Sequence, residues 1–458
     1  MPVDSQHPQY KKFNKSHLKC REAYEGEQVV KDQTTKYLPL LSGMTAGDDK
    51  YLAYLSRAMF YSATRRTVEG LSGIVDRKPP TIKIAAGLPW EENIDGKGMS
   101  LHGFANQIVN EAVLIDWQGI LVDRREGYDY PYPIQYNAEQ IINWKYEDGN
   151  LVMVMLAETV HEAGDDYEVV EVMQWRELSI IEGVYIQRVW RKKKSGKGGF
   201  EEVETYAPTM RGDSFTAIPF VFVSSDNKLE NPPLLDMVEV NFHHYKKSAD
   251  YEHGLHFTGL PTPDISGLNQ VTDENGNNTP VELGSETCLL LPEGGSAGFM
   301  EFSGSGLATL VTAMDNKKLE MASLGARLLQ SDKKGVEAAE TARINKSGDS
   351  NVLASMVTGA ERALNQVLVI MSTWQAANPA SNTIELNRDF VDEGLDAQEL
   401  TAIVGAVQGG TMSLETAVYN HKKNDMLPDG VSVEDEISKI KSGAPSLNGG
   451  MDVGDDDA

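Results

Sequence analysis

Two long helical patterns, separated by a turn-rich stretch of extended residues, limit most strongly what this chain can become. The first lies in NPPLLDMVEVNFHHYKKSADYEHGLHF, whose prolines suit a first helical turn. Leu235, Val238, Phe242, Tyr245 and Ala249 follow at spacings of 3, 4, 3 and 4. About 24 residues at about 1.5 Å each give a rod roughly 35 Å long. A period of about 3.5 residues suits helices lying nearly side by side, in this chain or another. The second pattern places Leu307, Leu310, Met314, Met321, Leu324 and Leu328 on one face. Between them, residues 258 to 302 hold Pro261, Pro263, the loop TDENGNN and the strand-like runs TCLLL and FMEF.

The region before the rods changes period. From Asp48 to about Val75 the spacing predicts one amphipathic helix, capped by Asp48 or Asp49, with Leu52, Leu55, Met59 and Ala63 on its apolar stripe. Gly70 and Gly73 thin its far end for close approach of another backbone, and Pro79-Pro80 stop it. Leu101 to Trp117 reads as a helix packed through Phe104, Ile108, Ala112 and Ile115. GILVDRR, LVMVMLAETV, YEVVEVMQW, VYIQRVW and IPFVFV read as strands, with turns at EDGN and HEAGDD and a solvated hairpin tip at RKKKSGKGG. Residues 100 to 223 are therefore expected to be α+β.

After the rods, EAAETARINKSGDSN is helical by propensity but has little apolar surface beyond alanines and Ile344. An apolar stripe returns at Leu353, Met356, Val357, Ala360, Leu364, Val367 and Met371. A short strand, TIEL, precedes two or three helices, among them SLETAVYNHKKN with Ser413 as N-cap. The acidic tail GAPSLNGGMDVGDDDA reads as flexible.

Composition excludes several classes. The chain of 458 residues carries 68 acidic against 42 basic residues, a net charge of −26. Tight DNA binding works by neutralising phosphates and is expected to need a basic surface. No run approaches the roughly 18 apolar residues of a membrane helix, and the polar start does not read as a signal peptide. Cys20 and Cys288, far apart, point to a reducing compartment rather than a disulfide framework.

Apparent catalytic motifs dissolve on inspection. Gly294 to Gly298 matches G-x-S-x-G, but extended residues on both sides predict a hairpin turn, whereas a nucleophile elbow needs a helix after the serine. His243, His244, His253 and His256 crowd one helix without H-E-x-x-H or a cysteine pair, so surface or interface histidines are expected. The run from Asp273 to Asn278 has its glycine at the wrong place for a calcium loop. Neither a Walker loop nor a dinucleotide loop is present. No catalytic residue, cofactor or metal site is expected.

The stretches YLPLLSGM (37–44), YLAYLSRAMFYSATRRTVEGLSGIVDRKPP and IQYNAEQIINWKYEDGNLVMV (134–154) resemble portal proteins of tailed bacteriophages, particularly those of short-tailed phages. The resemblance continues through the first rod, PEGGSAGFMEFSGSGL, LGARLL…EAAETAR and GGTMSLETAVYNHKKNDMLPDGVSVEDEI, and covers about residues 35 to 440. Order and spacing carry it rather than any one motif. It implies an α+β subunit with a wing, a two-helix stem, a small β-containing clip and a helical crown-like C-terminus. The corresponding parts are an N-terminal arm (1–47), a wing (48–230), stem helices flanking a clip (231–330, clip about 258–302), a tunnel-loop junction with a wing helix (331–393), the crown-like region (394–441) and a flexible acidic tail (442–458).

The function so implied is a ring, usually of twelve copies, at one capsid vertex of the virion, built in the host cytoplasm. It would pass non-specific double-stranded DNA during packaging and ejection. The implied partners are the terminase large subunit, a head-tail adaptor, and the major capsid and scaffolding proteins. Another virion structural or head-tail adaptor protein is the alternative. Lys333, Lys334 and Arg343 are candidates to face DNA. Leu235, Val238, Phe242 and Tyr245 are candidates for a subunit interface. Arg65 and Arg66 suit either such an interface or ion pairs within the chain.

Overall fold

A computed structural model describes residues 2–124, 127–165, 167–193, 199–210, 212–259, 262–266, 291, 293–300, 304–326, 352–388, 390, 411–423 and 432–443. The N-terminal segment is part of the core rather than a separate arm. Helix α1 (Pro8–Glu25) starts with proline in its first turn and is capped by His7, whose ring accepts the Gln9 N–H. It buries Tyr10, Cys20 and Ala23, and α2 (Glu27–Asp32) adds Val30. Residues 5 to 7 lie along a sheet edge. The His7 N–H donates to the Ile142 carbonyl at 2.9 Å, the Asn143 amide donates to the Ser5 carbonyl at 3.0 Å, and His7 stacks on Trp144 at 4.0 Å.

The single helix expected from 48 to 75 is two: α3 (Asp49–Arg57), capped by Asp48 accepting the Tyr51 N–H at 2.6 Å, and α4 (Ala63–Asp76). The break buries Phe60 against Phe242 and Tyr245, and the Met59 N–H freed by it donates to the Ser248 hydroxyl at 3.2 Å. The buried stripe is consequently Tyr51, Tyr54 and Ala58, while Leu52 and Met59 are 48% and 59% exposed. Tyrosine buried with a hydrogen-bonded hydroxyl outcompetes leucine here: Tyr51 donates to the Leu38 carbonyl and Tyr54 to Asp250. Gly70 and Gly73 have nothing within 4 Å of a built Cβ, so no backbone among the described residues uses the space they leave.

Beyond β1 (Thr81–Lys83), α5 (Leu101–Leu114) begins at Ser100, which caps Gly103 N–H, and buries Phe104, Ile108 and Ala112. Ile115, just beyond its end, is buried too. Two antiparallel sheets follow. One has the order β11-β2-β3, from β2 (Gln118–Asp123), β3 (Tyr132–Asn137) and β11 (Phe220–Val223). The other runs β4-β5-β6-β7-β8, from β4 (Ile141–Glu147), β5 (Asn150–Ala163), β6 (Val169–Ile181), β7 (Val184–Lys192) and β8 (Phe200–Tyr206). The EDGN turn forms as read, with Asp148 and Gly149 at φ 48 and 80 in the left-handed pair of a tight hairpin. Short β9 (Thr209–Met210) and β10 (Asp213–Ser214) pair with each other.

A buried polar network joins the sheets. Glu158 accepts from Tyr136 at 2.6 Å, Gln174 at 2.8 Å and Arg176 at 2.7 Å; Arg176 also donates to Gln187, which donates to Asp123. Burial alone would raise the Glu158 pKa, but the Arg176 guanidinium and these donors hold it below the ordinary carboxylate value.

Two long helices, α6 (Leu235–Gly259) and α7 (Ser305–Ala326), flank the pair β12 (Thr262–Ser266) and β13 (Ser296–Met300). Helix α8 (Val352–Gln375) then packs on α5, β2 and β11, burying Leu353, Met356, Val357, Ala360, Leu364, Val367 and Met371 as its stripe requires. β14 (Thr383–Glu385) closes against β1. In a separate compact unit, α9 (Leu414–Lys423) and α10 (Val433–Gly443) pack together, with Ser413 capping Thr416 N–H and Ser432 capping Asp435 N–H.

Candidate assembly surface

The lower half of α6 belongs to its own chain's core, which corrects the assignment of its stripe to a subunit interface. Val238, Phe242 and Tyr245 are 0%, 3% and 0% exposed, and Leu235 is half-buried. Phe242 stacks on Tyr37 at 3.9 Å, and Tyr245 meets Phe60 edge-on at 5.8 Å. The 3.5-residue period holds, but its partners are an aromatic bed of Tyr37, Tyr51, Tyr54 and Phe60. Sequence reasoning missed these because they come from irregular segments and from the offset stripe of α3. Closely spaced aromatics from Tyr51 to Tyr61 were the available signal.

Beyond Ala249, α6 leaves the core and α7 runs antiparallel beside it. Leu307 touches the space at Gly254, where a built Cβ would lie 2.6 Å from its Cδ2, and Gly325 at the other end sits beside Thr67 and Met237. This pairing covers only part of α7. Met321 is buried, Leu307, Leu310, Met314 and Leu324 are half-buried, and Leu328 lies outside the described residues. Leu319 remains 71% exposed and Val311 36%; on α6, Leu255 and Phe257 are 38% and 45% exposed.

At the end of the paired helices, β12 and β13 form a two-stranded ribbon in register from Thr262↔Met300 to Ser266↔Ser296. Every residue of β13 is exposed, with Phe299 at 67% and Met300 at 58%. An isolated two-stranded ribbon is marginal in water, and large apolar side chains on its surface call for a further partner. The G-x-S-x-G run is spent on this ribbon. Gly294 is at φ 85 in a turn, and Ser296 opens β13 with its hydroxyl 2.8 Å from that of Ser266, at the start of a strand rather than at the strand-to-helix turn an elbow needs.

The paired arginines make contacts within the chain, and among the described residues these are not ion pairs. Arg65 donates through Nε and Nη2 to the carbonyls of Tyr24 and Glu25, both at 3.0 Å, placing a cation on the last carbonyls of α1. Arg66 lies over the Tyr61 ring at 5.1 Å. Lys333, Lys334, Arg343 and the run from Asp273 to Asn278 lie outside the described residues. Among the described residues no group of three or more His, Cys, Asp or Glu could hold a metal. His244 is buried where α6 meets α7, with neither ring nitrogen partnered among the described residues. Burial lowers its pKa, and nearby Lys318 adds to that. His253 packs edge-on against Tyr54 and Phe257. These histidines are packing residues. No helix among the described residues is long and apolar enough to cross a membrane.

Residues 233–375, spanning α6 to α8, match the model of a domain of unknown function, DUF4055. No curated protein matches the sequence. Among solved structures, the chain is similar to a component of the neck of an empty gene transfer agent particle computed with C6 symmetry, at 12% identity and TM-score 0.36, covering 84% of this chain and 96% of that one. It is also similar to a chain in the neck of the native particle computed with C12 symmetry (12% identity, TM-score 0.37, 78% and 88% covered). A third similar structure is an HK97 family phage portal protein from Corynebacterium diphtheriae (12% identity, TM-score 0.30, 76% and 96% covered). Overlaps at this level leave the functional reading to the chain's own residues.

Proposed function

We propose that this chain is the subunit of a portal-type ring, the channel for double-stranded DNA at one vertex of a phage capsid. The observation that carries the reading is the excursion α6, β12, β13, α7. It is a long antiparallel helix pair that leaves its own core and ends in a ribbon with Phe299 and Met300 in solvent. Nothing among the described residues covers those side chains; neighbouring copies around a ring would. The order of motifs resembling portal proteins agrees with that placement, with the paired helices as stem and the ribbon in the clip.

A net charge of −26 suits a bore through which DNA slides without adhering, because phosphates are repelled rather than neutralised. Lys333, Lys334 and Arg343 remain the candidates for weak contacts inside it. By the same resemblance, the ring would dock the terminase large subunit, a head-tail adaptor, and capsid and scaffolding proteins, in the virion and in the host cytoplasm before it. Twelve copies are proposed, and no catalysis is assigned. Electron micrographs of the purified chain test this directly. Channelled rings whose class averages can be counted are expected, and a protein that never closes into a ring but binds a pre-existing one would overturn it in favour of an adaptor.

A further inference from the structure

A basic cleft of about 430 Å³ lies between α1 and α6 in a chain that is acidic overall. Lys15, Lys19, Lys36 and Lys246 surround an apolar floor that includes Leu18 and Phe242. Lys19 and Lys36 are held by Glu239 at 2.5 Å and Glu22 at 2.7 Å. Lys15 and Lys246 have no carboxylate within ion-pair distance among the described residues. Two uncompensated cations over a half-exposed leucine suit an acidic protein segment that also carries an apolar side chain. A phosphate would leave the floor uncovered.

Such a segment lies at the other edge of the five-stranded sheet. Strand β8 reads FEEVETY; residues 201 to 205 are all exposed, and Val203 stands 46% in solvent between Glu202 and Glu204, where the pairing with β7 shifts register. Its outer edge pairs with nothing among the described residues. Helix α1 lies against the opposite edge, at β4. Four strand spacings of about 4.8 Å put the two edges roughly 19 Å apart.

We propose that the α1–α6 cleft receives the β8 edge of a second copy of this chain, with Glu201 and Glu204 against Lys15 and Lys246 and Val203 over the floor. The contact joins two different patches, so it repeats head to tail and can close into a ring. It therefore gives the assembly proposed above a specific contact, while standing on separate residues.

Charge swapping in the full-length chain tests it, with the concentration at half-assembly read by sedimentation and rings scored by microscopy. Lys15→Glu with Lys246→Glu, and separately Glu201→Lys with Glu204→Lys, are expected to raise that concentration by roughly tenfold or more, because like charges then face each other. All four changes together are expected to bring it back to within about threefold of the parent, as coupled sites do. Unchanged melting of each variant shows that the fold is intact. Assembly indifferent to either pair of changes, or a loss that the fourfold variant does not restore, overturns the contact even if rings form. A parent chain that stays monomeric at every concentration overturns the ring as well.

Discussion

Two carboxylates, the half-buried Asp116 and the buried Glu158, give this protein opposite responses to pH. Asp116, at φ 57 between α5 and β2, accepts from the Ser225 N–H at 3.1 Å, yet burial raises its pKa to about 6. Between its unfolded value of about 3.9 and about 6, the folded state holds the extra proton, so this group's contribution to stability falls as pH rises through that window. Asp116→Asn keeps an acceptor, and asparagine tolerates the left-handed backbone. The variant is expected to gain ~1–3 kcal/mol at pH 7 and nothing near pH 3.5, measured by urea unfolding at both. Glu158 runs the other way. Its lowered pKa means that its contribution is present above about pH 4.3 and lost as pH falls further. Glu158→Ala leaves Arg176 buried with one carboxylate fewer, and is expected to cost ~3–5 kcal/mol at pH 7, with the loss shrinking in acid.

At the scale of elements, what the sequence disclosed depended on where each element found its partner. The α8 stripe, the α5 stripe and strands β2, β5, β6, β7 and β11 were legible from apolar pattern, whereas β3, β8, β9 and β10 were not read as strands, β8 because its run of glutamates leaves it little apolar surface. The α6 stripe was legible as a stripe but not as to its partner. The aromatic bed of Tyr37, Tyr51, Tyr54 and Phe60 is assembled from a loop, an offset helix and a helix break, none of which has a period. The candidate surface was legible as a helix, strand, helix order; the exposure of Phe299 and Met300 was not, since an apolar strand reads the same whether covered or bare. Glycines show a similar divide. A Cβ on Gly359 would lie 2.4 Å from the Ser224 carbonyl oxygen, so Gly359→Ala is expected to cost ~1–3 kcal/mol by overpacking α8 on the end of β11. Gly70→Ala, facing open space in α4, is expected to gain ~0.5–1 kcal/mol. Thermal unfolding of the two single variants reads both signs. Phe299→Ser with Met300→Ser should leave monomer melting within about 1 °C of the parent, as expected of solvent-facing positions, and should weaken self-association seen by sedimentation.

For the whole molecule, the two borders of the five-stranded sheet are unlike. Residues 5 to 7 lie along β4 and use its Ile142 carbonyl and the Asn143 side chain, while β8 presents glutamates outward. Deleting residues 2 to 7 should expose β4 and make the protein scatter light on standing more than the parent does, checked by turbidity at constant concentration. The intact border carries a consequence for how copies can meet. With residues 5 to 7 laid along one rim, a join of β4 to β4 is obstructed, and a join of β8 to β8 would set glutamate against glutamate. The sheet therefore favours a meeting of unlike rims.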